Sequence, residues 1–358
     1  MIAFDFAQLR LIGLQQAIAS AAAQLDVSSP LSSSSAQLLR VSAVHRDSIG
    51  VHDGGKEHPA QILPRLLHEL QAKDEVLTVG DWVAAEHDAH GALWITAHLS
   101  PVTQIARRGN DGRRQVLASN VDTALLVMGL DEDFNPRRLE RYLAIVLAAQ
   151  VTPVVVLSKA DVADDVAGKL AQLKQRLPPH VPLLAVDTRH AYDVAILEPW
   201  LGAGQTLVLL GSSGAGKSSL TNTLCAVDQT TNDVRHGDGR GRHTTTARSL
   251  HLCADGACII DTPGLRSWQA DADAQTLAAT FYDIVALAAT CQFRDCQHAS
   301  EPGCAVRGAI DADRLRNYHK LLRDALRGET TPLERSAARA KWKVTMKAFR
   351  QRDKKGIA

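Results

Sequence analysis

Eight residues, Gly211-Ser212-Ser213-Gly214-Ala215-Gly216-Lys217-Ser218, carry the spacing G-x-x-x-x-G-K-S. The apolar run Thr206–Leu210 precedes them and a helical stretch, Ser219–Cys225, follows. In a strand–loop–helix setting this pattern binds phosphate: the glycines let backbone N–H groups turn inward around an anion. Lys217 brings a cation to the β and γ phosphates, and the Ser218 hydroxyl is a ligand for Mg²⁺. The positive end of the following helix points at the same anion, so the phosphate-binding set runs from Gly211 to Ser219.

Two further motifs belong to the same chemistry. Asp261-Thr262-Pro263-Gly264 stands after the apolar Cys258-Ile259-Ile260, forty-three residues beyond Ser218. A carboxylate at the tip of a buried strand can hold a Mg²⁺ shell, and the Gly264 N–H can meet a γ phosphate. Ser158-Lys159-Ala160-Asp161 follows the apolar Val154–Leu157 and is close to the guanine-reading pattern N-K-x-D. The Asp161 carboxylate can accept both the ring N–H and the exocyclic amine of guanine, a donor pair that adenine lacks. The Lys159 stem can lie along the base. Ser158 in place of Asn keeps one hydrogen-bonding group with shorter reach. Each of the two short motifs alone is a common strand-end turn; their combination with the phosphate loop is specific.

A third cluster is suited to metal. Cys291, Cys296, His298 and Cys304 offer three thiolates and one imidazole within fourteen residues. Four protein ligands suit a closed tetrahedral structural zinc site with no position left for water. Such a site would supply folding energy to a segment too small to fold alone. Cys225, Cys253 and Cys258 read instead as small buried hydrophobes.

The order of the motifs is base reader, phosphate loop, threonine-rich segment, then Asp261, a circular permutation of the common GTPase order. Together with Val79-Gly80-Asp81-Trp82-Val83, Asn120-Val121-Asp122 and Gly241-Arg242-His243-Thr244-Thr245-Thr246, they make the chain similar to the RsgA (YjeQ) family. That family comprises the circularly permuted GTPases dependent on the small ribosomal subunit. The resemblance runs from about Gln37 to the C-terminus and leaves residues 1–36 outside. Ser158, and Ala185-Val186-Asp187 where a serine-rich base-backing loop is expected, depart from the family pattern and bear on guanine affinity.

The resemblance implies a GTP hydrolase that binds the 30S subunit and its rRNA, acts in late maturation, and is released on subunit-stimulated hydrolysis. It implies GTP with Mg²⁺, the metal held by Ser218, Asp261 and one of Thr244–Thr246, with Thr245 the chosen residue. It also points to His243 as the group that positions water, because Leu265 stands where many GTPases carry a water-orienting Gln. A His at 243 that only packs or faces solvent is the plainer alternative. A GTP-switched RNA-binding module with negligible hydrolysis is the alternative function. An ATP-dependent phosphotransferase is a further one, which Asp161 opposes.

Elements to position these groups are legible as well. Apolar residues make up 45% of the 358 and charged residues 22%, as in ordinary globular proteins. Aromatics are only 4%, which leaves few stacking platforms for bases. Leu11–Leu25 is too short and too rich in Gln for a membrane span, and Asp5 argues against a secretory leader. Residues 1–36 read as a helix bearing Leu9, Ile12 and Leu14, followed by a flexible serine-rich tether. Residues 37–114 show short strands and turns of a small barrel, similar to the family's OB-fold, ending in a basic hinge at Arg107–Arg114. Residues 115–282 alternate apolar strands (Thr123–Met128, Val154–Leu157, Thr206–Leu210) with helices such as Arg137–Ala149, a doubly wound α/β pattern. Residues 283–358 form a zinc-binding, basic helical region. From Ala305 onward, fifteen Lys/Arg face six Asp/Glu, so the overall +1 is a basic end of +9 against −8 elsewhere. With a barrel at the other end, that charge favours contact with an RNA backbone. The expected protein is thus a cytoplasmic monomer with no membrane partner.

Overall fold

The structure is a computed structural model that describes residues 2, 4–25, 36–45, 48–109, 114–225, 248–253, 256–262, 269–270 and 273–329. Arg240–Thr246, Gly264, Leu265 and the basic residues from Arg335 onward lie outside the described residues.

The N-terminal segment departs from the single helix read from its sequence, and the serine-rich tether lies outside the described residues. The segment forms two short helices, α1 (Phe6–Arg10) and α2 (Gln16–Gln24). Gly13, at φ +87°, turns the chain between them. Asp5 caps α1 by accepting the N–H groups of Ala7 and Gln8. Leu9, Ile12, Leu14, Ile18 and Ala22 are buried against Leu38, Trp82 and Ala84. These helices therefore cover one wall of the barrel.

The barrel strands are β1 (Gln37–Val44), β2 (Ile49–His52), β3 (Glu57–Ile62), β4 (Trp82–His87) and β5 (Leu93–His98), with α3 (Pro64–Ala72) between β3 and β4. They pair in the order β1-β2-β3-β5-β4, and β4 returns to β1, which closes the barrel. Period-2 alternation sends Leu39, Val41, Val83 and Ala85 inward. The alternate residues Leu38, Trp82 and Ala84 meet the N-terminal helices. Both faces of β1 are buried for that reason, from Leu38 to Ala43, with Arg40 and Ser42 among the buried residues.

The segment expected as a hinge is instead a hairpin, β6 (Gln104–Arg108) and β7 (Arg114–Ser119), with residues 110–113 outside the description. Ile105, Leu117 and Ala118 point into the core, while Arg107 and Arg108 are half-buried and Arg114 is exposed, so the basic character hid the strands. The hairpin also straddles the boundary drawn at residue 114.

The main α/β layer follows: β8 (Thr123–Gly129), α4 (Pro136–Ala148), β9 (Thr152–Ser158), α5 (Val166–Lys174), β10 (Leu183–Ala185), α6 (Ala191–Val194), β11 (Thr206–Leu210), α7 (Lys217–Cys225), β12 (Ser249–Leu252) and β13 (Cys258–Asp261). Strand order is β10-β9-β8-β11-β13-β12, parallel except for β12. Every residue of β8 and β11 is buried, as strands covered on both faces require. Asn135 caps α4 through the Arg138 N–H, with Pro136 in the first turn. Ala43 of β1 pairs with Ser249 of β12, so barrel and α/β layer share one hydrogen-bonded sheet.

Beyond it, β14 (Gln269–Ala270) pairs with β6, and α8 (Ala274–Thr280), α9 (Tyr282–Ala288), the Cys/His loop and α10 (Ala312–Glu329) complete the fold. Leu277, Phe281, Ile284, Val306 and Leu321 share a core with α4 and β8. Buried charges add to that seam. Arg314 bonds Glu140 at 2.6 Å and Asp283 at 2.7 Å, and Asn317 Nδ2 donates to Glu140 at 2.5 Å. Among the described residues no helix is long and apolar enough to cross a membrane.

Arg40 joins three parts of the molecule. Its fully buried guanidinium donates to Gly80 O of the barrel (3.3 Å), to Asn120 O (3.0 Å) and Thr206 Oγ1 (2.9 Å) of the α/β layer, and to Ile12 O of the N-terminal segment. It also lies 5.4 Å from the Trp82 ring centroid. Arg40→Met would take their donor from the buried Ile12 O, Asn120 O and Thr206 Oγ1, while Gly80 O would keep Asn120 Nδ2 at 2.9 Å. We expect a stability loss of about 3 kcal/mol in denaturant titration. An unchanged midpoint would show that the acceptors find water.

Candidate nucleotide site and metal centre

The parallel strands β8, β9, β11 and β13 end at one edge of the sheet. That edge is where open α/β folds bind ligands. Gly211 leaves β11 so close to β8 that a Cβ there would sit 2.3 Å from Val127 O. Gly214 (φ +81°) and Gly216 (φ +90°) supply the left-handed turns, and α7 begins at Lys217. Ala215 is buried, while Ser212, Ser213, Ser218 and Ser219 are half-buried along the loop and the first turn of α7.

In the free protein the Lys217 ammonium donates to the carbonyls of its own loop, Ser212 O at 2.7 Å and Gly211 O at 3.1 Å. Burial lowers its pKa to about 8, against the opposing pull of Asp261. Asp261 ends β13 and is fully buried. Thr262 anchors the turn after it by donating to Leu209 O at 2.6 Å. Among the described residues, neither Asp261 carboxylate oxygen has a hydrogen-bond partner. Burial raises its pKa to about 6 even though Lys217 pulls it down. A buried, unpartnered carboxylate beside a phosphate loop and the Ser218 hydroxyl suits a hard divalent cation such as Mg²⁺.

The base-reading motif follows β9 on the same edge. Ser158 is fully buried and its hydroxyl donates to Ala215 O at 2.6 Å, tying this loop to the phosphate loop. Ser158 thus faces the protein. Lys159 adopts φ +61° and places its ammonium 2.6 Å from Asp131. The Ala160 N–H reaches Val186 O at 3.4 Å. Asp161, on the turn that follows, meets Arg189 at 2.5 Å.

Four residues at this edge escaped the sequence reading. Asp131 and Asp133 follow β8; Asp133 accepts from Ser212 Oγ at 2.5 Å and from the Gly129 N–H at 3.1 Å. Arg138 pairs with Asp133 at 2.5 Å. Arg189 bridges Asp161 and Asp187. The one available signal was Asp131-Glu132-Asp133 shortly after a buried apolar strand.

The Cys/His loop lies across α4 from the nucleotide edge. Cys291, Cys296, His298 and Cys304 place their ligand atoms all within 4.8 Å of one another. His298 Nδ1 lies 3.5 Å from Cys304 Sγ and 3.7 Å from Cys291 Sγ. The N–H groups of Ala305 and Arg307 point at Cys291 Sγ (3.4 Å) and Cys304 Sγ (3.3 Å). Such donors favour thiolates over thiols. Glu301 holds the loop by accepting the N–H groups of Gln297, Ala299 and Ser300 at 2.9–3.0 Å. The donor set fits a metal ion. Cys225, Cys253 and Cys258 are buried elsewhere, as expected for core residues.

The RsgA GTPase family model matches residues 100–271. The small ribosomal subunit biogenesis GTPase RsgA of Xanthomonas oryzae pv. oryzae (strain MAFF 311018) is 46% identical over 291 residues, 79% of each chain. The protein of that name from Xanthomonas axonopodis pv. citri (strain 306) is likewise 46% identical over 291 residues, 79% of each chain. The crystal structure of YjeQ from Thermotoga maritima superposes with a TM-score of 0.57 at 22% identity, covering 81% of this chain and 98% of that one. YloQ, a circularly permuted GTPase, gives 0.56 at 21% identity, covering 83% and 97%.

The raised Asp261 pKa has a consequence for stability. A carboxyl whose pKa is higher folded than unfolded contributes stability below about pH 4, and loses it as pH rises through about 6. The chain should therefore lose stability between about pH 4 and 6 through this group, and Asp261→Asn should remove that part of the loss. Thermal midpoints measured against pH without Mg²⁺ would test it; identical slopes for both proteins would contradict the assignment.

Proposed function

The chain belongs to the RsgA GTPase family, and from that membership we propose that it hydrolyses GTP on the small ribosomal subunit late in the subunit's maturation, the subunit stimulating hydrolysis and hydrolysis driving release. One observation carries the reading. Phosphate loop, Asp261 and base-reading loop come from distant, permuted positions in the sequence, yet they meet along one sheet edge.

The reading assigns roles as follows. The backbone of Gly211–Ser219 holds the phosphates, and Asp161 reads guanine. Lys217 exchanges two carbonyl partners for phosphate oxygens, where its charge opposes the negative charge that grows as the γ-phosphoryl group departs. Ser218, Asp261 and Thr245 hold Mg²⁺, which when bound neutralises charge on the β and γ phosphates. Gly264 offers its N–H to the γ phosphate. Water attacks the γ phosphorus, the bond to the β–γ bridging oxygen breaks, and GDP and phosphate leave. His243 positions that water in the absence of a Gln at 265. Burial raises the Asp261 pKa, and a bound cation would offset that cost of ionisation.

The Cys₃His centre takes one structural zinc. The basic end from Ala305 and the barrel contact rRNA. The protein acts in the cytoplasm as a monomer, with no membrane partner.

GTP turnover titrated with small subunits tests the function. Turnover should rise many-fold and saturate with 30S subunits, and Lys217→Ala should abolish it. Active subunits that leave the rate unchanged would refute the proposal. For the metal, elemental analysis should find one zinc per chain, and a strong chelator should lower the thermal midpoint. A metal-free chain indifferent to chelator would remove the zinc.

A further inference from the structure

The loop after β10 carries an arginine on the carboxylate assigned to read the base. We propose that Arg189 occupies Asp161 in the free protein and competes with guanine for it. This rests on Ser158–Asp161 being the base-reading loop, as proposed above.

The geometry is that of one acceptor with two matching donors. Arg189 Nη2 donates to Asp161 Oδ2 at 2.5 Å. A carboxylate reads guanine through the N1–H and the exocyclic amine, two parallel donors on either side of C2. That N–C–N fork is chemically a guanidine, the group that an arginine side chain carries. Arginine and guanine are therefore rivals for the same oxygens.

A second anchor makes the occupation reversible. Asp187, buried to 6% exposure of its side chain, accepts Arg189 Nε and Nη2 at 3.1 Å each and the Arg189 backbone N–H at 3.0 Å. Arg189 can leave Asp161 without losing its remaining partner. Its own side chain is 64% exposed, so that movement needs little repacking of the described residues. The departure from the serine-rich loop at Ala185-Val186-Asp187 gains a physical meaning here: Asp187 is the anchor of an internal competitor. Thr223 Oγ1 also donates to Thr188 O at 2.7 Å, which fastens this loop to α7, the helix of the phosphate loop.

The competitor lowers guanine affinity by the fraction of time it sits on Asp161. An exposed ion pair of this kind is weak, so the factor is small. Calorimetric titration of the full chain with GDP should show Arg189→Ala binding about two- to fivefold tighter than the unsubstituted protein. In an Asp161→Ala background, which should itself weaken GDP binding at least about tenfold, the same substitution should change nothing. The thermal midpoints of all three variants serve as the check on folding. Arg189→Ala that binds GDP equally or more weakly, while Asp161→Ala loses it, overturns the competition alone. Full GDP affinity in Asp161→Ala overturns the base-reading assignment and the competition with it.

Discussion

A guanidinium with no carboxylate on it organises the N-terminal half. Arg40 lies in β1 with no access to solvent, and its donors end on backbone carbonyls and one hydroxyl from four separate stretches of chain. A buried charge must find such partners, so Ile12, Gly80, Asn120 and Thr206 are brought to one point. Gly13 makes room for it, and Gly80 lets the barrel backbone approach the end of β7. A Cβ on Gly13 would fall 2.2 Å from Arg40 Nη1, and one on Gly80 would fall 2.1 Å from Ser119 O. The barrel is thereby fixed against the α/β layer. Because β1 pairs with β12 and β12 with β13, an unbroken run of strands leads from the barrel to Asp261.

The other flank is joined to the nucleotide edge by α4. Its first turn meets Asp133 through Arg138, and Asp133 holds Ser212 of the phosphate loop. Two residues later, on another side of the same helix, Glu140 enters the buried cluster with Arg314, Arg176 and Asn317. Arg314 also stands 4.8 Å from the Phe281 ring centroid and bonds Asp283, on the helices that lead to the Cys/His loop. A shift of the phosphate loop thus has a path of direct contacts to the metal-ligand module. Isolated charges could not remain in that seam, so any motion must carry the partners together.

The chemistry-bearing groups of the free site are held by substitutes for the ligand. Lys217 rests on carbonyl oxygens, Lys159 on Asp131 and Arg189 on Asp161. Asp261 is the exception, buried with no hydrogen-bond partner among the described residues. The edge is shaped for an anion and a cation together, with each resident cation able to exchange one oxygen partner for another.

Much of this was legible in the letters. Thr206–Leu210, Gly211–Ser218 and Cys258–Asp261 form strand, loop and strand where apolar runs and glycine spacing required them. The four clustered Cys and His ligands converge. These signals are local: a glycine needed for a left-handed turn, or thiolates spaced for one ion, declares itself within a few residues. Strand ends at Arg107, Arg108 and Arg114 were read as a hinge, and two N-terminal helices as one, because arginines and a glycine turn give no periodic signal when their packing faces are unseen. Tertiary structure alone decided where long-range charges met. Nothing in sequence spacing pairs Arg40 with Thr206, Glu140 with Arg314, or Arg189 with Asp161. Each of those contacts exists because the fold brings remote segments into a low-dielectric or shared surface position, where an unpaired charge is costly or an open acceptor is nearest.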